Sequence, residues 1–320
     1  MEMLKIIALL LVGFVVLVKS ADIFVDAVSS IATNLKLSKM MIALTVAAFG
    51  TCAPELAISF QSISSGTGDI ALANVLGSNI VNILLIVGLA ACVHPIRVKR
   101  DVVKKELPIL LIVTLAFVVS IVCHYTGITT NSVILDRTDG ILFIICFVIF
   151  IFYIVQVIRT KQGFFEQEKP KYGIIKSIII TIICCGLIII SSDIVVDNAK
   201  LLAEALNIST KIITMTVVVI GTSLPEMTMT VVAAKKEEFD IALGNIIGTN
   251  IFNIGVVLGL PLLIHGGFSS FAFNLIDVAV VFIAAFILYI FARNDKILSK
   301  FEGAIMIIIF VIYYTYIMVI

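Results

Sequence analysis

Residues 20–89 recur at residues 191–260, displaced by 171 positions without a gap, and 27 of the 70 aligned positions are identical. A repeat of this length means that the chain builds one unit twice and packs the copies against each other. What each copy contains decides how they pack. The chain is 61% hydrophobic and only 13% charged, whereas a soluble domain carries roughly a quarter charged residues. Apolar runs of about 20 residues, enough to cross a bilayer, recur along its whole length. They predict helices over roughly 3–33, 39–64, 70–93, 106–124 and 134–158, then 173–206, 211–235, 239–264, 271–292 and 298–319.

Five spans per half is an odd number, so the second copy enters the membrane from the side opposite to the first. The expected fold is an all-α polytopic membrane protein of ten transmembrane helices. They form two inverted five-helix repeats about a pseudo-two-fold axis in the membrane plane. The first half covers 1–158, with its repeat core at about 39–93. The second covers 173–320, with its core at about 211–264, and the polar segment 159–172 joins them. Lys and Arg crowd the loops around 36–39, 97–105, 159–171, 235–236 and 293–300, while the opposite loops hold little beyond Arg137 and Lys211. Positive loops stay cytoplasmic, which puts the linker inside and both termini outside.

Other classes are disfavoured. A net charge of +1 argues against a nucleic-acid partner. All six cysteines lie in apolar segments without CxxC spacing, and apart from Cys52 they read as small buried fillers. The run from Lys5 to Val18 imitates a signal peptide, but the residues that follow recur in mid-chain, so it reads as the first helix.

GTCAPE (Gly50–Glu55) and GTSLPE (Gly221–Glu226) occupy equivalent places in the two copies. An ionised carboxylate at mid-bilayer costs about 3 kcal/mol on insertion scales. A lone glutamate there reads as protonated and structural. Glu55 and Glu226, brought together by the pseudo-two-fold axis, are two bare charges that one divalent cation neutralises. Pro54 and Pro225 lack the N–H that would bind the carbonyls of Gly50 and Gly221, and glycine at the same point permits a kink. Free carbonyls, carboxylates and the hydroxyls of Thr51, Thr222 and Ser223 are hard oxygen donors suited to Ca²⁺ and Na⁺. A second cluster follows in each copy, NVLGSNIVN (Asn74–Asn82) and NIIGTNIFN (Asn245–Asn253). Ser78 and Asn82 share a helix face, as do Thr249 and Asn253, and are ligand candidates. Asn74, Asn79, Asn245 and Asn250 read as polar struts between helices, with Gly77 and Gly248 allowing close approach.

These paired motifs resemble the alpha-repeats of the Ca²⁺/cation antiporter superfamily, specifically the prokaryotic-type sodium/calcium exchangers, over essentially the whole chain. The resemblance implies ten helices, alternating access, and antiport of Ca²⁺ against Na⁺ with no cofactor. It implies a cation site centred on Glu55 and Glu226. Around them stand Thr51, Cys52, Thr222, Ser223, Ser78, Thr249, Asn82 and Asn253, with the carbonyls of Ala48 and Val219. Two departures bear on selectivity. Cys52 stands where the family usually has Ser, and a thiol is a poor Na⁺ ligand. Asn253 stands where many relatives have Asp, which argues against potassium dependence. The compact form, with a linker in place of a regulatory domain, points to a prokaryotic cytoplasmic membrane, and the functional unit is expected to be a monomer.

Two rival transport classes stay open, Ca²⁺/H⁺ antiport and a cation channel; inverted repeats with broken helices favour alternating access over the channel. An enzyme is not expected. GTGD (Gly66–Asp69) imitates an intramembrane aspartyl protease motif but lacks its Tyr-Asp partner, and His94, His124 and His265 lie too near helix ends to serve Cys52. Lys19, close in sequence to Asp22 and Asp26, is expected to pair with them.

Overall fold

Inside a bilayer the backbone finds no water, so it satisfies its polar groups within helices. The structure, a computed structural model, describes residues 2–125, 133–160, 169–206, 219–270 and 275–319. Its helices are α1 (Glu2–Leu35), α2 (Lys39–Thr51), α3 (Ala53–Ser64), α4 (Gly68–Val93), α5 (Leu107–Tyr125), α6 (Arg137–Arg159), α7 (Ile174–Ala205), α8 (Val219–Thr222), α9 (Leu224–Lys235), α10 (Phe239–His265), α11 (Leu275–Asn294) and α12 (Lys300–Val319). Among the described residues eight spans are long and apolar enough to cross a membrane, and α2 with α3 makes a ninth, bent by 51°. The chain is an integral membrane protein. The expected span 211–235 begins outside the described residues, and α8 and α9 are its described part.

Burial separates centre from rim. The most apolar window of α4 and that of α10 are each 83% buried, against 22% for α1 and 17% for α6 and α12. The two Asn-bearing helices are therefore the heart of the molecule, and the others turn apolar faces to lipid. α1 and α7 pack along each other: a Cβ on Gly13 would stand 2.8 Å from Val195 Cγ2. Short antiparallel pairs tie loops of the two halves, with Ile96 opposite Leu298 in one and Leu135 opposite Phe268 in the other. The 171-residue displacement also reaches beyond the aligned segments. Glu106 and Asp277, that far apart, are each buried and accept from a tyrosine, Tyr153 at 2.5 Å and Tyr313 at 3.0 Å.

Two features depart from what the sequence suggests. Ala43–Ala47, Val81–Val87, Val102–Glu106 and Asn253–Leu258 form wide π-helical turns, a distortion that often marks functional sites. Lys19 is exposed, and the partners of Asp22 and Asp26 come from elsewhere. Lys236, just past α9, reaches Asp22 Oδ1 at 3.1 Å and Asp26 Oδ1 at 2.5 Å. Lys171 holds Asp26 Oδ2 at 2.6 Å, and that bond raises the exposed lysine above its ordinary pKa. Lys39 pairs with Glu238 at 2.9 Å beside them.

Candidate cation site

Each glutamate is placed by a broken helix. α2 ends at Thr51 and α3 begins at Ala53 with Pro54 in its first turn, which puts Glu55 there too. Proline is tolerated at that position because its missing N–H needs no partner. The same construction puts Glu226 in the first turn of α9, after Ser223 and beside Pro225. Both glutamates are 1% exposed, and their carboxyl groups lie within electrostatic reach of each other.

The breaks pack crosswise. The end of α2 lies on α10, the Asn-bearing helix of the other copy, and α8 lies on α4. Gly248 permits the first contact: a Cβ there would stand 2.6 Å from Leu44 O and 2.8 Å from the Ala48 Cβ. The four asparagines read as struts do bridge helices or anchor them. Asn74 Nδ2 donates to Glu55 O at 3.1 Å and to Ser59 Oγ at 3.3 Å. Asn245 Nδ2 donates to Thr230 Oγ1 at 3.3 Å, the equivalent contact in the second copy. Asn79 Nδ2 donates to Asn250 O at 3.4 Å, so these equivalent residues meet each other, and Asn250 Nδ2 binds Ile246 O at 2.7 Å. Ser59 and Thr230 were missed, although a hydroxyl at the same place in both copies is a legible signal.

Around the carboxylates the structure gathers most of the candidate ligands. Cys52 is fully buried beside the hydroxyls of Thr51 and Thr249 and within electrostatic reach of both carboxylates. Thr51 donates to Ala47 O at 3.3 Å and Ala48 O at 3.4 Å and faces the Glu226 carboxylate. Ser78 and Asn82 are buried on α4, Thr249 and Asn253 on α10, with both asparagines in π turns. Asn253 Nδ2 donates to Asn79 Oδ1 at 3.1 Å. Thr222 is half-buried at the end of α8, which Val219 begins. Ala48 O also accepts from Cys52 N at 3.2 Å, so it offers a cation only a shared carbonyl.

Two donors expected to be free are engaged. Gly50 O accepts from Cys185 Sγ at 3.1 Å, and Gly221 O accepts from Ser192 Oγ at 3.4 Å. No local signal in the sequence pairs these residues, which lie far apart along the chain.

Buried polar atoms normally have partners. Among the described residues, those without one concentrate here: Glu55 Oε2, both oxygens of Glu226, Asn82 Oδ1 and Nδ2, Ser223 Oγ, Thr249 Oγ1, and Oδ1 of Asn245, Asn250 and Asn253. Outside this cluster, among the described residues, only Glu106, Thr181 and Tyr314 have such an atom. Among the described residues no group of three or more His, Cys, Asp or Glu side chains is arranged to hold a metal. The donor set is instead two carboxylates among neutral oxygens, a combination that suits hard cations such as Ca²⁺ and Na⁺ and not soft metals.

Known proteins resemble the chain over nearly its whole length. The chain is 36% identical over 316 residues to a putative antiporter, CaxA, of Alkalimonas amylolytica, covering 95% of each. It is 32% identical over 335 residues to the sodium/calcium exchanger MaX1 of Methanosarcina acetivorans, again covering 95% of each. Its fold matches a solved structure of the sodium-calcium exchanger NCX_Mj soaked with Na⁺ and Sr²⁺, with a TM-score of 0.80, 31% identity and 97% of each chain covered. The sodium/calcium exchanger protein family model matches residues 5–156 and 176–319, and the chain belongs to that family.

Proposed function

We propose that the protein is a secondary antiporter that exchanges Ca²⁺ for Na⁺ by alternating access, with Glu55 and Glu226 at the centre of a shared cation site. One observation carries this reading. Two carboxylates, one from each copy, lie buried together, and Glu55 Oε2 and both oxygens of Glu226 have no hydrogen-bond partner. Charges buried in that way need compensation, and one divalent cation supplies it. Thr51, Cys52, Ser78 and Asn82 complete the cage from the first copy. Thr222, Ser223, Thr249 and Asn253 complete it from the second, with the carbonyls of Ala48 and Val219. Na⁺ ions compete for the same oxygens. The empty site keeps two unbalanced negative charges and crosses only when loaded, which couples the two flows.

The meeting of the equivalent residues Asn79 and Asn250 supports an axis at that point. About it the halves 1–158 and 173–320 are inverted five-helix units, joined by 159–172. The basic loops support a cytoplasmic linker with both termini outside, and the short linker supports a prokaryotic membrane. α1 and α7 rock as a pair against the rest to change access, and one chain suffices. Asn253 in place of a third carboxylate makes the exchange independent of K⁺.

The test is uptake of ⁴⁵Ca²⁺ into Na⁺-loaded proteoliposomes diluted into buffer free of Na⁺ and K⁺, with Glu55→Gln alongside. Uptake that requires internal Na⁺ and vanishes in the variant is the expected result. Uptake indifferent to Na⁺ and driven by a pH gradient would make the protein a Ca²⁺/H⁺ antiporter. Uptake that needs neither gradient would make it a channel.

A further inference from the structure

We propose that Cys185 and Ser192 on α7 are positioning residues for the cation site, each holding one of the two carbonyls that Pro54 and Pro225 deprive of a helical donor. The inference rests on the site assignment made above. Pro54 removes the N–H that would bind Gly50 O, and Pro225 does the same to Gly221 O. Away from water a carbonyl without a donor is costly, and each of these finds one outside its own helix. Cys185 Sγ reaches the first at 3.1 Å and Ser192 Oγ reaches the second at 3.4 Å. The two donors are seven positions apart, about two turns, so one face of one helix serves both breaks.

The glycines of the two motifs make room for that face. A Cβ on Gly50 would stand 3.0 Å from the Cys185 sulfur, and one on Gly221 would stand 2.5 Å from Val196 Cγ2 on the same helix. The arrangement is not two-fold. Displaced by 171 positions, Cys185 and Ser192 correspond to Phe14 and Ala21 on α1, neither of which has a side-chain donor. α7 therefore holds the break of its own copy and that of the other, and cannot travel along its axis without straining both contacts. Glu55 and Glu226 follow five residues after the held carbonyls, so the placement of both carboxylates is tied to the axial position of α7.

The experiment compares wild type, Cys185→Ala, Cys185→Ser and Ser192→Ala by two readouts. Hydrogen-exchange mass spectrometry of the ion-free protein reads the segments Gly50–Glu55 and Gly221–Glu226. Na⁺-driven ⁴⁵Ca²⁺ exchange reads the Ca²⁺ concentration for half-maximal rate. Cys185→Ala is expected to speed amide exchange over Gly50–Glu55 about tenfold and to raise the half-maximal Ca²⁺ concentration about tenfold. Cys185→Ser keeps a donor and should stay within about twofold of wild type in both. Ser192→Ala, which loses the longer contact, should act on Gly221–Glu226 by about threefold. Cys185→Ala indistinguishable from wild type would overturn the proposal. So would Cys185→Ser as impaired as Cys185→Ala, because shape and not hydrogen bonding would then matter. The hydrogen-exchange arm needs no ion, so a wild type that fails to move Ca²⁺ would reject the proposed function while the contacts are still judged on their own.

Discussion

Asp22 and Asp26 on α1 are the same residues of the repeat as Asp193 and Asp197 on α7, yet their partners differ. Lys236 and Lys171 bind the first pair at 2.5–3.1 Å, from a helix end and a linker distant in sequence. The second pair is exposed, and its described contact is Lys200 to Asp197 at 3.5 Å, three residues along the same helix. The position equivalent to Lys236 in the first copy is Ser65. α9, which Lys236 directly follows, carries Glu226, so these ion pairs join the acidic pair of α1 to the element that holds a site carboxylate. The copies thus agree at the centre, where proline, glutamate and asparagine recur, and differ at the ends. On the alternating-access reading proposed above, symmetry at the centre would let one site be met in the same way from either side.

The comparison is broken most severely at its symmetric centre. Glu55→Gln and Glu226→Gln should each lower exchange by roughly 100-fold or more, since a loss of about 3 kcal/mol in cation stabilisation follows from removing either charge. A large loss in one variant and little in the other would mean that the copies contribute unequally. At the asymmetric ends the effect is smaller. Lys236→Gln should cost about 1–2 kcal/mol of unfolding free energy in denaturant titration, because its partners are partly buried and lose their counter-charge. Cys52→Ser sharpens the comparison by making the first motif match the second. It should lower the Na⁺ concentration for half-maximal exchange about threefold, and Ser223→Cys should raise it, because a hydroxyl is the harder ligand. Lys200→Gln, the counterpart of the Lys236 change, should alter stability by less than about 0.5 kcal/mol, as an exposed pair within one helix does.

Much of this was legible because the sequence states it twice. Proline beside glutamate after glycine marks both helix breaks, and the matching Asn-rich segments mark the two central helices. The neutral struts Asn74 and Asn245 behave as expected because each meets a hydroxyl, Ser59 or Thr230, at the same displacement. What was not legible depends on how separate helices slide against each other. Lys236 and Asp26 are 210 positions apart, and Lys19, only three and seven positions from the same aspartates, was the local but mistaken choice. The hold of Cys185 on Gly50 spans 135 positions and follows from the axial register of α7, which no periodicity encodes. No periodicity in the sequence marks the π turns that carry Asn82 and Asn253.

The central claim is a single cation site shared by both carboxylates and contested by Na⁺. Calorimetric titration of the purified protein with Ca²⁺, at several fixed Na⁺ concentrations and in wild type, Glu55→Gln and Glu226→Gln, tests it most directly. The account predicts one Ca²⁺ bound per chain, binding lost in either variant, and displacement that rises more steeply than the first power of Na⁺ concentration. Full Ca²⁺ binding in either variant, or binding that ignores Na⁺, would contradict it.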